Sequence, residues 1–235
     1  MPALPFNDRI KRLQARLEDR ELDAIVLRER KNIRYLCGFD GSYGVLIVDR
    51  RGARLVTDGR YAEIAEGVLD GPELVVQPKS EIPRFFSELY QSLGYDRMGF
   101  EGTVSVNAHE ATKKAVRKAK TKLVEAGEIV SELRRVKDDA EIRIIRRAAK
   151  VADKMMAAAW DAAWPGMTEA ELSVVVRRAA EDLGAEDQSF DNIVASGPSA
   201  SRPHHSPGKR KLKSGAMITI DLGAIVDGYC SDLTR

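Results

Sequence analysis

Asp221-Leu222-Gly223-Ala224-Ile225-Val226-Asp227-Gly228-Tyr229-Cys230-Ser231-Asp232 reads as two apolar strands folded about a turn. Asp227-Gly228 supplies the turn, because an Asp-Gly pair tolerates the left-handed backbone that tight hairpins need. A four-residue loop pairs Ala224 with Tyr229 and sets Asp221 directly opposite Asp232. A two-residue loop sets Asp232 opposite Gly223 instead. In both registers the two carboxylates share one face of the sheet, with Cβ atoms about 5 Å apart if opposed and about 7–8 Å apart if diagonal. A slip of one residue on one strand would send them to opposite faces.

Two like charges on an apolar hairpin repel. A shared proton, a basic neighbour or a cation relieves that repulsion, and hard divalent ions take carboxylate oxygens readily. Two such ions about 3.5–4 Å apart can polarise a carbonyl and activate a bridging water. A plain turn with Asp221 and Asp232 facing solvent fits the same residues. Upstream, His204 and His205 follow Pro203 in a loop rich in Ser, Gly and Pro. A histidine there can donate to a substrate carbonyl or stabilise a tetrahedral intermediate. A surface histidine without a chemical role is the commoner meaning of such a position. His109 lies on a basic helix and receives no role.

Further upstream, Ile142, Ile145, Ala149, Ala152, Met156, Ala159 and Ala163 step by three and four residues and predict one long amphipathic helix. Arg143, Arg146, Arg147, Lys150 and Lys154 fall off that stripe and read as a solvated face. Thr168-Glu169-Ala170-Glu171 is a capping box opening a second helix, buried through Leu172, Val175, Ala179 and Leu183. Strands follow at Phe190 to Ala195, Met217 to Leu222, and from Tyr229 on. Before Glu128 the chain alternates short helices and short apolar strands. Asn7 is the expected cap of the first helix, with Ile10, Leu13 and Leu17 on its buried face. Val45 to Val48 and Arg54 to Val56 flank Asp49-Arg50-Arg51-Gly52 as a hairpin, and Val106 to Lys120 reads as a basic helix. The rhythm is that of an α/β (α+β) protein in two domains, 1–127 and 128–235.

The 235 residues carry 38 basic and 36 acidic side chains, a net charge of +2. That balance leaves no electrostatic footprint for nucleic acid or an anionic membrane. No apolar run approaches a bilayer span, and the first twelve residues lack the apolar core of a signal peptide. Cys37 and Cys230, far apart in sequence, read as free thiols of a cytoplasmic protein.

The ordered set of motifs resembles the pita-bread metallopeptidases, and most nearly the Xaa-Pro aminopeptidases and prolidases. The likeness runs through Phe190-Asp191-Asn192-Ile193-Val194-Ala195-Ser196-Gly197, Pro203-His204, Ile220-Asp221-Leu222-Gly223-Ala224 and Gly228 to Arg235. Asn32-Ile33-Arg34-Tyr35-Leu36-Cys37-Gly38-Phe39 and Thr57-Asp58-Gly59-Arg60-Tyr61 resemble a creatinase-type N-terminal domain. Leu133 to Lys137 and Glu141-Ile142 resemble the junction into the first catalytic helix.

The resemblance implies that Asp221 is a metal ligand, that Asp232 bridges two metals, and that His204 assists on the substrate side. It implies a pair of divalent ions (manganese, cobalt or zinc), a metal-bridged hydroxide, a peptide substrate with proline second, and a homodimer. Ser199-Ala200-Ser201 departs from the Asn-Ser-Ala order of many relatives. Such enzymes also use a later histidine and two glutamates, and neither residue type follows Asp232 here. The expectation is therefore a creatinase-like domain followed by an incomplete pita-bread domain. As an enzyme the chain is expected to be inactive or incomplete, with divalent metal bound only weakly by these residues alone. A prolidase, a creatinase-like hydrolase, a non-catalytic pita-bread binding module and the product of a truncated reading frame stay open beside the aminopeptidase.

Overall fold

The computed structural model describes residues 4–235. Contacts divide the chain into two compact units, meeting at Lys137 and Asp138.

The first unit runs α1 (Phe6–Asp19), β1 (Ala24–Leu27), α2 (Arg30–Cys37), β2 (Val45–Asp49), β3 (Ala53–Thr57), α3 (Ala62–Val68), β4 (Glu73–Val76), α4 (Ile82–Leu93), β5 (Arg97–Phe100), α5 (Val106–Val116), β6 (Lys122–Glu125) and α6 (Glu128–Arg135). Its sheet has the order β4-β3-β2-β1-β5-β6. Only the β1–β2 and β2–β3 pairs are antiparallel, so β2 runs against the other five strands. The central strands are buried on both faces, as such a sheet requires. Ile25, Leu27, Leu46, Val48 and Leu55 point into a core with α1, α2 and α6. Ala24, Val26, Val45, Ile47 and Val56 alternate with them into a second core with α4 and α5. The result is a three-layer α/β/α unit.

Two expectations are corrected here. Asn7 is no cap: α1 starts at Phe6 with Pro5 at the N-cap and no side-chain bond. The division at 127 and 128 moves to 137 and 138, because Ile129, Val130 and Leu133 of α6 are buried in the first unit's core.

The second unit runs α7 (Asp139–Ala162), α8 (Glu169–Asp182), β7 (Asp187–Gln188), β8 (Ile193–Ser196), a 3-10 turn (Gly197–Ser199), β9 (Ile218–Leu222), β10 (Ala224–Val226), β11 (Tyr229–Cys230) and β12 (Leu233–Thr234). Both helices open on capping boxes, Asp138 with Glu141 and Thr168 with Glu171. The buried face of α7 begins with Ala140, Ile144 and Ala148 rather than Ile142, Ile145 and Ala149, and Ile142 is exposed. Alanines on that face let α7 lie close against α8 and the strands, and close packing outweighs the larger side chains. Two three-stranded sheets, β11-β10-β7 and β12-β9-β8, pack with these helices. No helix among the described residues is long and apolar enough to cross a membrane.

Candidate active site

The hairpin from Ile220 to Arg235 holds one register throughout. Val226 pairs with Tyr229, Leu222 with Leu233, and Thr234 with Asp221. The loop is therefore the two-residue Asp227-Gly228, whose φ angles of 46° and 71° are those of a type I′ turn. Asp227 accepts from Arg147 Nη1 at 2.7 Å, and the Gly228 amide donates to Glu186 Oε1 at 3.1 Å, so the turn is anchored at both residues.

The register does not change, yet the hairpin belongs to two sheets. It bends at Gly223, where a Cβ would lie 2.1 Å from the Ser231 carbonyl oxygen. Only glycine fits there. Ser231 bridges the bend: its amide donates to Ala224 O at 2.9 Å, and its hydroxyl accepts from Ala224 N at 3.0 Å.

With this register Asp232 falls opposite Gly223, diagonal to Asp221. Both line one cavity of about 480 Å³, together with His204, His205 and Asn192. Asp221 is half-buried, while Asp232 and His204 are exposed. Water thus reaches the carboxylates, and their repulsion is screened. One Asp221 oxygen, Oδ1, accepts from Thr234 Oγ1 at 2.7 Å, which fixes the carboxylate plane. Asn192 is buried, and its Oδ1 has no hydrogen-bond partner among the described residues. Among the described residues no group of three or more His, Cys, Asp and Glu side chains is placed to hold a metal ion. The donors present are the oxygens of two aspartates, the ligand type of a hard divalent ion and part of a full shell.

The loop carrying His204 is held from below by a residue that sequence reasoning left inside a capping box. Glu169, on the first turn of α8, is 1% exposed. Its Oε1 accepts from the Ser196 amide and hydroxyl, both at 2.8 Å. Its Oε2 meets His205 Nε2 at 2.8 Å and accepts from the Gly208 amide at 3.2 Å. Burial by itself would raise this carboxyl, but the bonds from His205, Ser196 and Gly208 outweigh it and hold Glu169 below its ordinary value. Its partners lie 27 to 39 residues away, so no local pattern announces it. His205, left without a role from sequence, is half-buried and ties the loop to this carboxylate.

The profile of the creatinase/prolidase N-terminal domain matches residues 9–136, and that of metallopeptidase family M24 matches residues 143–235. This chain belongs to metallopeptidase family M24. Within the family it is 34% identical over 214 residues to an uncharacterized peptidase of Bacillus subtilis, covering 91% of this chain and 60% of that one. It is 28% identical over 233 residues to the Xaa-Pro dipeptidase of Pyrococcus furiosus, covering 98% and 64%. The solved Xaa-Pro dipeptidase from Bacillus anthracis superposes with a TM-score of 0.91 at 32% identity, covering 98% of this chain and 64% of that one. The chain thus spans 60% to 64% of the length of these M24 relatives. The creatinase-like first unit and the partial pita-bread second unit are those of the family.

Proposed function

We propose that the second unit forms the first part of a metal-dependent active site that hydrolyses the peptide bond before a proline in second position. One observation carries the reading: in a chain of family M24, Asp221, Asp232 and His204 line a single cavity. Asp221 and Asp232 would hold divalent metal, which supplies Lewis-acid polarisation of the scissile carbonyl and a water nucleophile at neutral pH. Manganese, cobalt and zinc all accept such ligands. Thr234 restrains one oxygen of Asp221, which lines the cavity. His204, exposed and lining the same cavity, would donate to the carbonyl oxygen as negative charge develops on it. Glu169 holds the backbone on which His204 rides. The relatives include both dipeptidases and aminopeptidases, so the substrate is an Xaa-Pro dipeptide or a longer peptide with that N-terminus.

Two carboxylates leave most of each metal shell to water, so these 235 residues should bind manganese weakly, with Kd of about 10⁻⁴ M or above. They should show no appreciable turnover. Calorimetry with manganese and cleavage of an Xaa-Pro peptide test this, with Asp221→Ala and Asp232→Ala as controls. Metal uptake unchanged in both variants would overturn the assignment. Asp232-dependent cleavage by these residues alone would refute the account of a partial site.

A further inference from the structure

The first unit carries a cavity unrelated to the peptidase reading. It measures about 650 Å³ and lies between α4 and α5, with Arg28 and Tyr43 among its lining residues. That volume is ordinary for a small-molecule site. Arg28 follows the last residue of β1, and β5 runs parallel beside β1. The chain leaves β1 through α2 on one face of the sheet, and reaches β5 through α4 on the other. The crevice outside the carboxyl ends of two such strands is where open α/β sheets bind ligands, and Arg28 and Tyr43 line both that crevice and this cavity beside it.

The charges around it are unbalanced. Four basic side chains and one acidic one line the cavity. Arg84 is paired with Glu88 at 2.8 Å and Glu81 at 3.4 Å. The acid, Glu110, is 3.8 Å from Lys113 and 3.7 Å from His109. Arg28, Lys114 and Lys118 make no ion pair with any carboxylate among the described residues.

Arg28 is the odd member of this set. Its guanidinium stands 5.5 Å from the Phe86 ring centroid. Its Nε and the hydroxyl of neighbouring Tyr90 are both buried and make no hydrogen bond of good geometry, although the two groups stand close enough for the guanidinium charge to act on the phenol. Glu101, the carboxylate at the end of β5, is already engaged: it accepts from the Arg28 and Glu29 amides and from Asn32 Nδ2. It fixes the backbone of Arg28 and leaves the guanidinium without a counter-ion. A buried donor without an acceptor costs about 1–3 kcal/mol, and a bound water or ion is one of the ways natural structures satisfy such a group.

We infer that this cavity binds a small organic anion, its carboxylate or phosphate on Arg28, Lys114 and Lys118 and its apolar body against Phe86. A planar oxyanion matches the guanidinium fork, and the two lysines add charge at the mouth. Phe86 and the first turn of α4 supply the apolar wall.

The test is calorimetric titration of the whole 235-residue chain with phenyl phosphate and with benzoate, using benzyl alcohol as the neutral counterpart. One saturable site is expected for one or both anions, with binding about tenfold or more weaker for the alcohol. Arg28→Met keeps the packing on Phe86 and should weaken anion binding by about tenfold or more. Lys114→Ala with Lys118→Ala alters only exposed side chains, so it decides the matter if Arg28→Met does not fold. It should weaken binding about threefold or more. No saturation by about 10 mM of either anion, or anion binding unchanged in the variants, would overturn the inference.

Discussion

Replacing Glu169 by alanine tests how the His204 loop is held. The substitution strips acceptors from the Ser196 amide and hydroxyl, from His205 Nε2 and from the Gly208 amide. Ser196 is 2% exposed, so its two donors have no water to turn to. At about 1–3 kcal/mol for each buried unsatisfied donor, they alone amount to about 2–6 kcal/mol. His205 and Gly208 lie nearer solvent and add less. Domains of this kind are stable by about 5–15 kcal/mol, so the second unit should lose a large share of its stability. Trp160 and Trp164 are the only tryptophans and both lie in the second unit. Their fluorescence during urea unfolding therefore reports on that unit alone. The variant's midpoint should fall well below that of the parent chain. A loss under about 1 kcal/mol would show that the four bonds are not what holds the loop. The pH dependence carries its own sign. Unfolded, the carboxyl titrates at its ordinary 4.5; folded, it titrates lower. Its contribution is therefore complete above 4.5 and lost as pH falls through the folded value. Glu169→Ala should lose that part of the acid-side decline.

Gly223→Ala should destabilise the second unit by about 1–3 kcal/mol or more, since the new methyl meets the Ser231 carbonyl and the backbone must shift; an unchanged tryptophan unfolding curve would refute the tight bend. Residues 1–137 should unfold cooperatively by themselves, whereas 1–127 should not, because Ile129, Val130 and Leu133 then leave the core at a cost of about 4–9 kcal/mol; equal circular-dichroism melts would contradict this. Native chain should take up iodoacetamide at Cys230, which is exposed, and spare Cys37, which is fully buried with its thiol pushed up to about 11 by burial; mass spectrometry showing equal alkylation at both would count against the packing around α2.

Local signals in the sequence were reliable where three or four residues settle the matter. Thr168 and Glu171 cap α8 because both partners sit within one turn. Asp227-Gly228 makes its turn because the backbone demands left-handed angles at both positions. Loop length was open, since four-residue and two-residue loops satisfy the same apolar pattern; the anchors on Arg147 and Glu186 belong to other elements. On α7 the later part of the apolar stripe, Ala152, Met156 and Ala159, is buried as the sequence reads, whereas the first turns bury Ala140, Ile144 and Ala148 in place of Ile142, Ile145 and Ala149, because Ile142, Ile144 and Ile145 fit more than one face. The domain boundary shifted because α6 looks equally amphipathic whichever side it joins. Glu169 and His205 were out of reach for a plainer reason: hydrogen bonds across 27 to 39 residues leave no periodic trace.

The unbroken register of the hairpin bears on which mutations a lineage can survive. Surface turns are ordinarily where a gene tolerates lost codons. Here the loop has two residues, and removing one leaves no loop that can close a hairpin. The strands would have to re-pair one step out of phase. With period two, that step turns one whole arm over. Because the same pairing spans the bend at Gly223, the error would not stop at the first sheet. It would carry through to Arg235 and remove Asp232 from the face it shares with Asp221. A deletion at the tip is therefore equivalent, for the site, to losing a carboxylate several residues away.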